Sequence, residues 1–322
     1  MAMSASSRGI DVWVKSISYE AEGIASFELR PCQGDLLPAF TAGAHVTVEM
    51  AGDLSRSYSL VNSQDDRHRY VIAVSRDRAS RGGSLYMHES VKVGHELRVS
   101  FPRNNFPLIE AAQRSIFIAG GIGITPLWCM VQRLHAISAD WELHYATRSR
   151  SSAAFLDAMT SLGPEAAQKI HLHFDDESDG RRLDINAVLE AAPDAHAYCC
   201  GPLPMLRAFE ALSATRPASM VHSEYFAAGE SMAPGGFTVQ LARAGHVIKV
   251  PADSSILEAL LANGIDIPHS CKEGTCGTCE VRVLGGIPDH RDVILSEEER
   301  QSNSKMMICC SGCRTETLIL DL

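Results

Sequence analysis

Several things are missing from this chain, and each absence removes a class of function. No stretch reaches the ~18 consecutive apolar residues of a spanning helix. Basic residues are outnumbered, 29 against 39 acidic, for a formal charge of −10. That is the wrong sign for gripping nucleic acid or an anionic bilayer. The opening stretch MAMSASSRG has no apolar centre, so no secretory signal is expected. A zinc ribbon needs two C-x2-C knuckles, and only one such pair precedes Cys309. A cytoplasmic, acidic, soluble protein of two or three domains is the expectation for 322 residues.

Disulfides are not expected either, although there are ten cysteines. Six fall between positions 271 and 313, and the others are Cys32, Cys129 and the adjacent pair Cys199 and Cys200. Such crowding suits metal ligation in a reducing compartment. Cys271-Lys-Glu-Gly-Thr-Cys276-Gly-Thr-Cys279 has the plant-type [2Fe–2S] spacing C-x4-C-x2-C. Gly274 and Gly277 let the loop wrap closely, and its N–H groups can point at sulfur. The fourth ligand is Cys309, Cys310 or Cys313; Cys309, after the apolar run MMI, is preferred.

Residues 10–106 read as short strands at 11–18, 24–31, 44–50, 57–61, 69–75 and 95–100, divided by glycine and polar turns. Closure into an antiparallel barrel removes their exposed edges. Arg56-Ser57-Tyr58-Ser59 offers a cation, two hydroxyls and a phenol, either an anion-and-ring site or simply a polar strand face. Ser80-Arg81-Gly82-Gly83-Ser84 leads into a short helix, as a phosphate loop or an ordinary N-cap. Ala73 and Ser75, on the 69–75 strand, join these as candidate ligand contacts.

From Arg114 the pattern changes to alternating strands and helices, which predicts a mainly parallel sheet with ligand at the strand C-termini. The first strand ends in Gly120-Gly121-Ile122-Gly123-Ile124-Thr125-Pro126, a close-approach loop without the G-x-G-x-x-G fingerprint. Thr125 is expected to cap the following helix, 127–135, with Pro126 in its first turn. Further helices are expected at 152–162, 184–191 and 203–212. Thr147, Cys200, Gly201 and Pro202 fall at the ligand edge. Arg148 and Arg150 can face a 2′-phosphate, a diphosphate or only solvent. Phe226 closes the domain, over a ring or inside the core.

Residues 227–235 read as a linker. Beyond it come a hairpin, a helix over 254–263 started by Asp253 or Ser254, the cysteine loop and a strand at 280–283. A small ferredoxin-like β-grasp unit is expected, stabilised in part by its cluster.

RSYS, SRGGS, GGIGITP, YCCGP and CKEGTCGTC…C stand here in one order. That order resembles the phthalate dioxygenase reductase family, the bacterial reductases of Rieske-type aromatic oxygenases and demethylases. The resemblance implies three domains: an antiparallel β-barrel of ferredoxin-reductase type (1–110) for FMN, an α/β parallel-sheet domain (111–226) for NADH, and a plant-type ferredoxin β-grasp domain (236–322). It implies that Arg56, Ser57, Tyr58, Ser59, Gly82, Gly83 and Ser84 hold FMN, with Phe226 covering its ring. Gly120, Gly121, Gly123, Thr125 and Pro126 would hold the pyrophosphate, and Cys200, Gly201 and Pro202 would flank the nicotinamide. Cys271, Cys276, Cys279 and Cys309 would bind the cluster. The implied path runs from NADH to FMN, then singly to [2Fe–2S], then to an oxygenase. No side chain of the protein is implied as an acid–base catalyst, and a monomer is expected. CCSGC replaces the family's usual single cysteine followed by Val-Ser-Arg.

Overall fold

The computed structural model describes residues 9–51, 54–77, 82–178, 180–226, 233–269 and 271–322. One compact unit runs to Glu224 and a second begins at Tyr225.

The first unit starts with β1 (Gly9–Ala21), β2 (Ile24–Pro31), β3 (His45–Glu49), β4 (Ser55–Ser59), β5 (Tyr70–Ser75), α1 (Gly83–Glu89) and β6 (Glu96–Ser100). The six strands pair antiparallel in the order β4-β3-β6-β1-β2-β5. A bridge from Leu60 to Ile72 brings the two edge strands together, so the sheet closes into the expected barrel. Phe27, Leu29, Val46, Val48, Ile72 and Val99 fill it.

The chain continues through β7 (Arg114–Gly120), α2 (Ile124–Ala136), β8 (Asp140–Thr147), α3 (Leu156–Thr160), α4 (Pro164–Ala167), β9 (Ile170–Phe174), α5 (Ile185–Ala191), β10 (His196–Cys200), α6 (Leu203–Ser213) and β11 (Val221–Glu224). These strands form a parallel sheet, β11-β10-β7-β8-β9. The central β7 is buried along almost its whole length, as a strand covered on both faces must be. Tyr145 and Tyr198 are fully buried, yet each hydroxyl accepts a backbone N–H, from Ala154 at 3.1 Å and Ile109 at 2.9 Å. One continuous core joins sheet and barrel. Across it, the Gln132 amide donates to the Val61 carbonyl at 2.7 Å and the Cys129 thiol to the Asn62 carbonyl at 3.1 Å.

Two helix expectations need correction. Helix α2 starts at Ile124, after a 3-10 turn over Gly121–Gly123, so Thr125 lies inside it. The Thr125 hydroxyl donates back to the Ile122 carbonyl at 3.0 Å and does not cap the helix. The expected helix over 152–162 is broken: Phe155 takes a left-handed φ of 66°, and only Leu156–Thr160 is helical. Phe155 is buried, so its packing overrides local helix preference.

The second unit contains β12 (Thr238–Leu241), β13 (Val247–Lys249), α7 (Ile256–Ala262), β14 (Glu280–Gly285), β15 (Pro288–Asp289), α8 (Glu297–Ser302), β16 (Lys305–Met307), β17 (Gly312–Cys313) and β18 (Thr317–Leu320). Its sheet order is β13-β12-β18-β14-β16, with β15 and β17 paired apart. Strand β14 alternates with period two: Val281 and Val283 face the core. Helix α7 is capped by Ser255, one residue later than expected. Its hydroxyl accepts the Glu258 N–H at 3.1 Å, and Glu258 returns to the Ser255 N–H at 2.8 Å. Of the expected linker, residues 227–232 lie outside the described residues. Ala233 and Gly235 are already bonded into this unit, to the Cys310 and Ala252 carbonyls. Among the described residues no helix is long and apolar enough to cross a membrane.

Candidate functional site

In the barrel, β4 carries Arg56, Ser57, Tyr58 and Ser59, and Gly83 opens α1. Ser80 and Arg81 of the expected phosphate loop lie outside the described residues. Arg56 and Gly83 are nonetheless brought together: a Cβ built on Gly83 would fall 2.5 Å from Arg56 Cγ. Gly82 precedes the helix at φ 96°, a conformation glycine adopts cheaply. The Ser57 and Thr47 hydroxyls share a hydrogen bond at 3.0 Å, and Ser84 accepts the Asp77 N–H at 3.2 Å. Ser59 and Ala73 are buried, while Ser75 is half-buried. The site therefore offers a guanidinium over a glycine with no side chain in the way, a cradle suited to a phosphate-bearing flavin.

The nucleotide loops also meet. The Gly121–Gly123 turn packs between the ends of β7 and β8 and against β5. A Cβ on Gly123 would fall 2.2 Å from the Cys200 carbonyl oxygen, and one on Gly120 would fall 2.6 Å from Pro202 Cδ. Larger residues would have to separate the two loops. No side chain caps α2; the Ile124 N–H already donates to the Gly121 carbonyl and Pro126 carries none, so this end offers a pyrophosphate the positive end of the helix beside a turn free of side chains. Thr147 is buried at the end of β8, donating to the Ser149 carbonyl at 2.9 Å. Arg150 is engaged by Glu177 through two bonds of 3.0 Å and lies over the Phe174 ring. Burial pushes the Cys200 thiol well up, so it stays protonated and is no nucleophile.

Sequence reasoning missed Glu224, which ends β11 and pairs with Cys200 across the sheet. Its Oε2 is buried with no hydrogen-bond partner, and burial pushes its carboxyl up to about 8. A neutral carboxyl at this edge can donate a hydrogen bond to a bound amide or hydroxyl. The signal was the acidic residue closing the last strand of an apolar sheet. Phe226 is 42 % exposed, in the segment that opens the second unit.

In the second unit Cys271, Cys276, Cys279 and Cys309 are all buried. Their thiols touch in a chain, Cys276 to Cys271 to Cys309 to Cys279. Hydrogen bonds from Cys276 and Cys309 draw the Cys271 thiol far down. The Glu273 and Thr275 N–H groups point at Cys271 Sγ, at 3.3 and 3.4 Å, and the Cys271 N–H at Cys276 Sγ, at 3.4 Å. Four converging sulfurs with aimed N–H donors fit a [2Fe–2S] cluster. Cys310 touches Cys309 but turns toward the Met307 carbonyl, and Cys313 bonds the Thr315 carbonyl at 2.8 Å. Asp292, another residue missed earlier, braces the loop: it accepts the Ile294 and Leu295 N–H groups, while the Val293 N–H bonds the Gly274 carbonyl. Burial pushes its carboxyl up, but the neighbouring His290 imidazole and the Leu295 N–H outweigh this and hold it below the ordinary value.

Comparison with known proteins agrees with this geometry. The oxidoreductase NAD-binding domain family matches residues 117–211, and the 2Fe-2S iron-sulfur cluster binding domain family matches residues 239–314. The chain is 48 % identical to phenoxybenzoate dioxygenase subunit beta of Ectopseudomonas oleovorans, over 100 % of both chains. It is also 48 % identical to tetrachlorobenzoquinone reductase of Sphingobium chlorophenolicum, over 97 % of this chain and 98 % of that one. Among solved structures, phthalate dioxygenase reductase, described as a modular structure for electron transfer from pyridine nucleotides to [2Fe–2S], superposes with a TM-score of 0.77 at 38 % identity and 98 % coverage of each chain. The chain thus belongs to the phthalate dioxygenase reductase family and is an oxidoreductase that uses NADH, FMN and a [2Fe–2S] cluster.

Proposed function

We propose that this chain is the NADH-dependent reductase component of a Rieske-type aromatic oxygenase or demethylase, working as a cytoplasmic monomer. End-to-end similarity to a dioxygenase subunit carries the reading, supported by four converging thiols in one unit and two nucleotide-type sites in the other. When bound, the flavin accepts a hydride from NADH and releases single electrons, which the [2Fe–2S] cluster carries onward.

The residues supply placement. Arg56 neutralises the FMN phosphate, and the β4 hydroxyls and Tyr58 orient the ring. The Gly120–Gly123 turn and the α2 N-terminus hold the dinucleotide pyrophosphate, with Thr125 and Pro126 shaping that first turn. Cys200, Gly201 and Pro202 form the nicotinamide side, where the Glu224 carboxyl donates to the carboxamide. Cys271, Cys276, Cys279 and Cys309 hold the cluster, and loop N–H groups stabilise its negative charge.

Anaerobic titration with NADH should bleach flavin absorption and produce a reduced [2Fe–2S] EPR signal, and a Rieske oxygenase should then reoxidise the protein. A free-flavin reductase would release reduced FMN without the EPR signal, and a metal-binding adaptor would neither bind flavin nor oxidise NADH. A second reading, direct reduction of a halogenated quinone, is favoured by the equal identity to tetrachlorobenzoquinone reductase. Quinone turnover that survives loss of the cluster, with no transfer to any oxygenase, would select it.

A further inference from the structure

We propose that Glu142, His144 and His171 form a site for one borderline transition-metal ion of the Zn2+ class, on the outer strands of the nucleotide sheet. Glu142 and His144 lie two apart on β8, hence on one face, and His171 is the register partner of His144 on β9. The parallel register thus places three donors from two strands side by side. Glu142 Oε1 lies 3.1 Å from His144 Nε2 and 2.8 Å from His171 Nε2. One ligand atom from each residue falls within 4.8 Å of the other two. Tetrahedral zinc with bonds of about 2.0–2.1 Å needs donors roughly 3.3 Å apart. A small outward turn of the imidazoles therefore admits an ion, and side-chain torsions of this type are soft.

The surroundings already resemble those of a ligand set. Arg114 holds Glu142 Oε2 at 2.6 Å, which fixes the carboxylate with Oε1 toward the two rings. His144 Nδ1 faces His173 Nε2 at 3.4 Å, an outer partner that orients the ligating ring. The His171 side chain is 41 % exposed, leaving an entry path and room for a water as fourth ligand. Two imidazoles and one carboxylate select zinc, nickel or copper over the hard ions magnesium and calcium. The ion would clip β8 to β9, whose ends carry Thr147 and Phe174 at the nucleotide edge. This site uses none of the residues assigned to flavin, NADH or the cluster.

The test is calorimetric titration of the FMN- and cluster-loaded protein with Zn2+ under a weak competing chelator. His171→Ala and Glu142→Gln are measured beside it. The expected result is one Zn2+ per chain, bound at least ~10-fold more weakly by each variant. Zn2+ should also shield His144 and His171 of the native protein from diethyl pyrocarbonate, read by mass spectrometry. His171→Ala changes a solvent-open side chain and should fold, which its flavin and cluster spectrum checks. Absence of Zn2+ binding, or binding of equal strength in native protein and His171→Ala, overturns the proposal and assigns any uptake to thiols such as the exposed Cys32.

Discussion

Arg56 lies across Gly83 so closely that a methyl group on the glycine would meet the arginine stem at 2.5 Å. The strand that carries the cation and the turn that leads into α1 thus form one surface. Gly83→Ala must push Arg56 aside, and Arg56→Ala removes the charge itself. Both variants should bind FMN at least ~10-fold more weakly, about 1.4 kcal/mol or more, measured by quenching of flavin fluorescence. A Gly83→Ala protein that retains FMN within twofold of the native affinity would place the phosphate elsewhere.

Glu224 gives the nucleotide side a pH dependence. Burial raises its carboxyl from 4.5 to about 8. A carboxyl raised in the folded state favours folding most below its unfolded value, and that contribution is lost as pH rises through the folded value. Stability of the flavin-free protein should therefore fall between about pH 5 and 8 for this group, and Glu224→Gln should flatten the slope in urea titrations. The same variant keeps a donor at the edge, so KM for NADH should rise above about pH 8 in the native protein but not in Glu224→Gln. Parallel profiles for the two proteins would remove Glu224 from the site.

The contrast between these residues explains what could be read in advance. Gly83 and Gly123 stand where backbone or a side-chain stem comes too close for any Cβ, and glycine in a loop announces such a place. The parallel sheet was legible because β7 is a continuous apolar run and turn residues separate the alternating elements. Caps were less legible: Ser255 follows Asp253 and Ser254, and packing decides which of the three begins the helix, while Thr125 falls inside α2 because the 3-10 turn over Gly121–Gly123 starts the helix one residue before it. Glu224 left only its place at the end of the last strand, and Asp292 left no pattern, since an acid's burial depends on distant neighbours. The Glu142–His144–His171 group was hidden for another reason, because the register between β8 and β9 is set by the whole sheet.

The choice among three late cysteines has a direct consequence. Cys309 touches both Cys271 and Cys279, whereas Cys310 touches Cys309 but turns its thiol to the Met307 carbonyl, and Cys313 is bonded to Thr315. Cys309→Ser should lower bound iron at least ~10-fold and abolish the reduced-cluster EPR signal. Cys310→Ser and Cys313→Ser should keep both. Loss of iron in Cys310→Ser, with iron retained in Cys309→Ser, would exchange their roles.

Coenzyme choice turns on Arg150. It follows β8, the strand after the glycine-loop strand, where a ribose 2′-group is recognised in open α/β sheets. Its guanidinium is already paired with Glu177 at 3.0 Å, on a turn that also carries Asp175 and Asp176. A 2′-phosphate would have to displace one carboxylate and approach two more, and like charges brought together are costly. NADH is favoured on this ground. Glu177→Ala frees Arg150 and removes one negative charge, so the ratio of kcat/KM for NADPH over NADH should rise about tenfold. The gain should shrink at high salt because the pair is exposed. An unchanged ratio at low salt would mean that the 2′-position is read by other residues, with Arg148 the first to substitute.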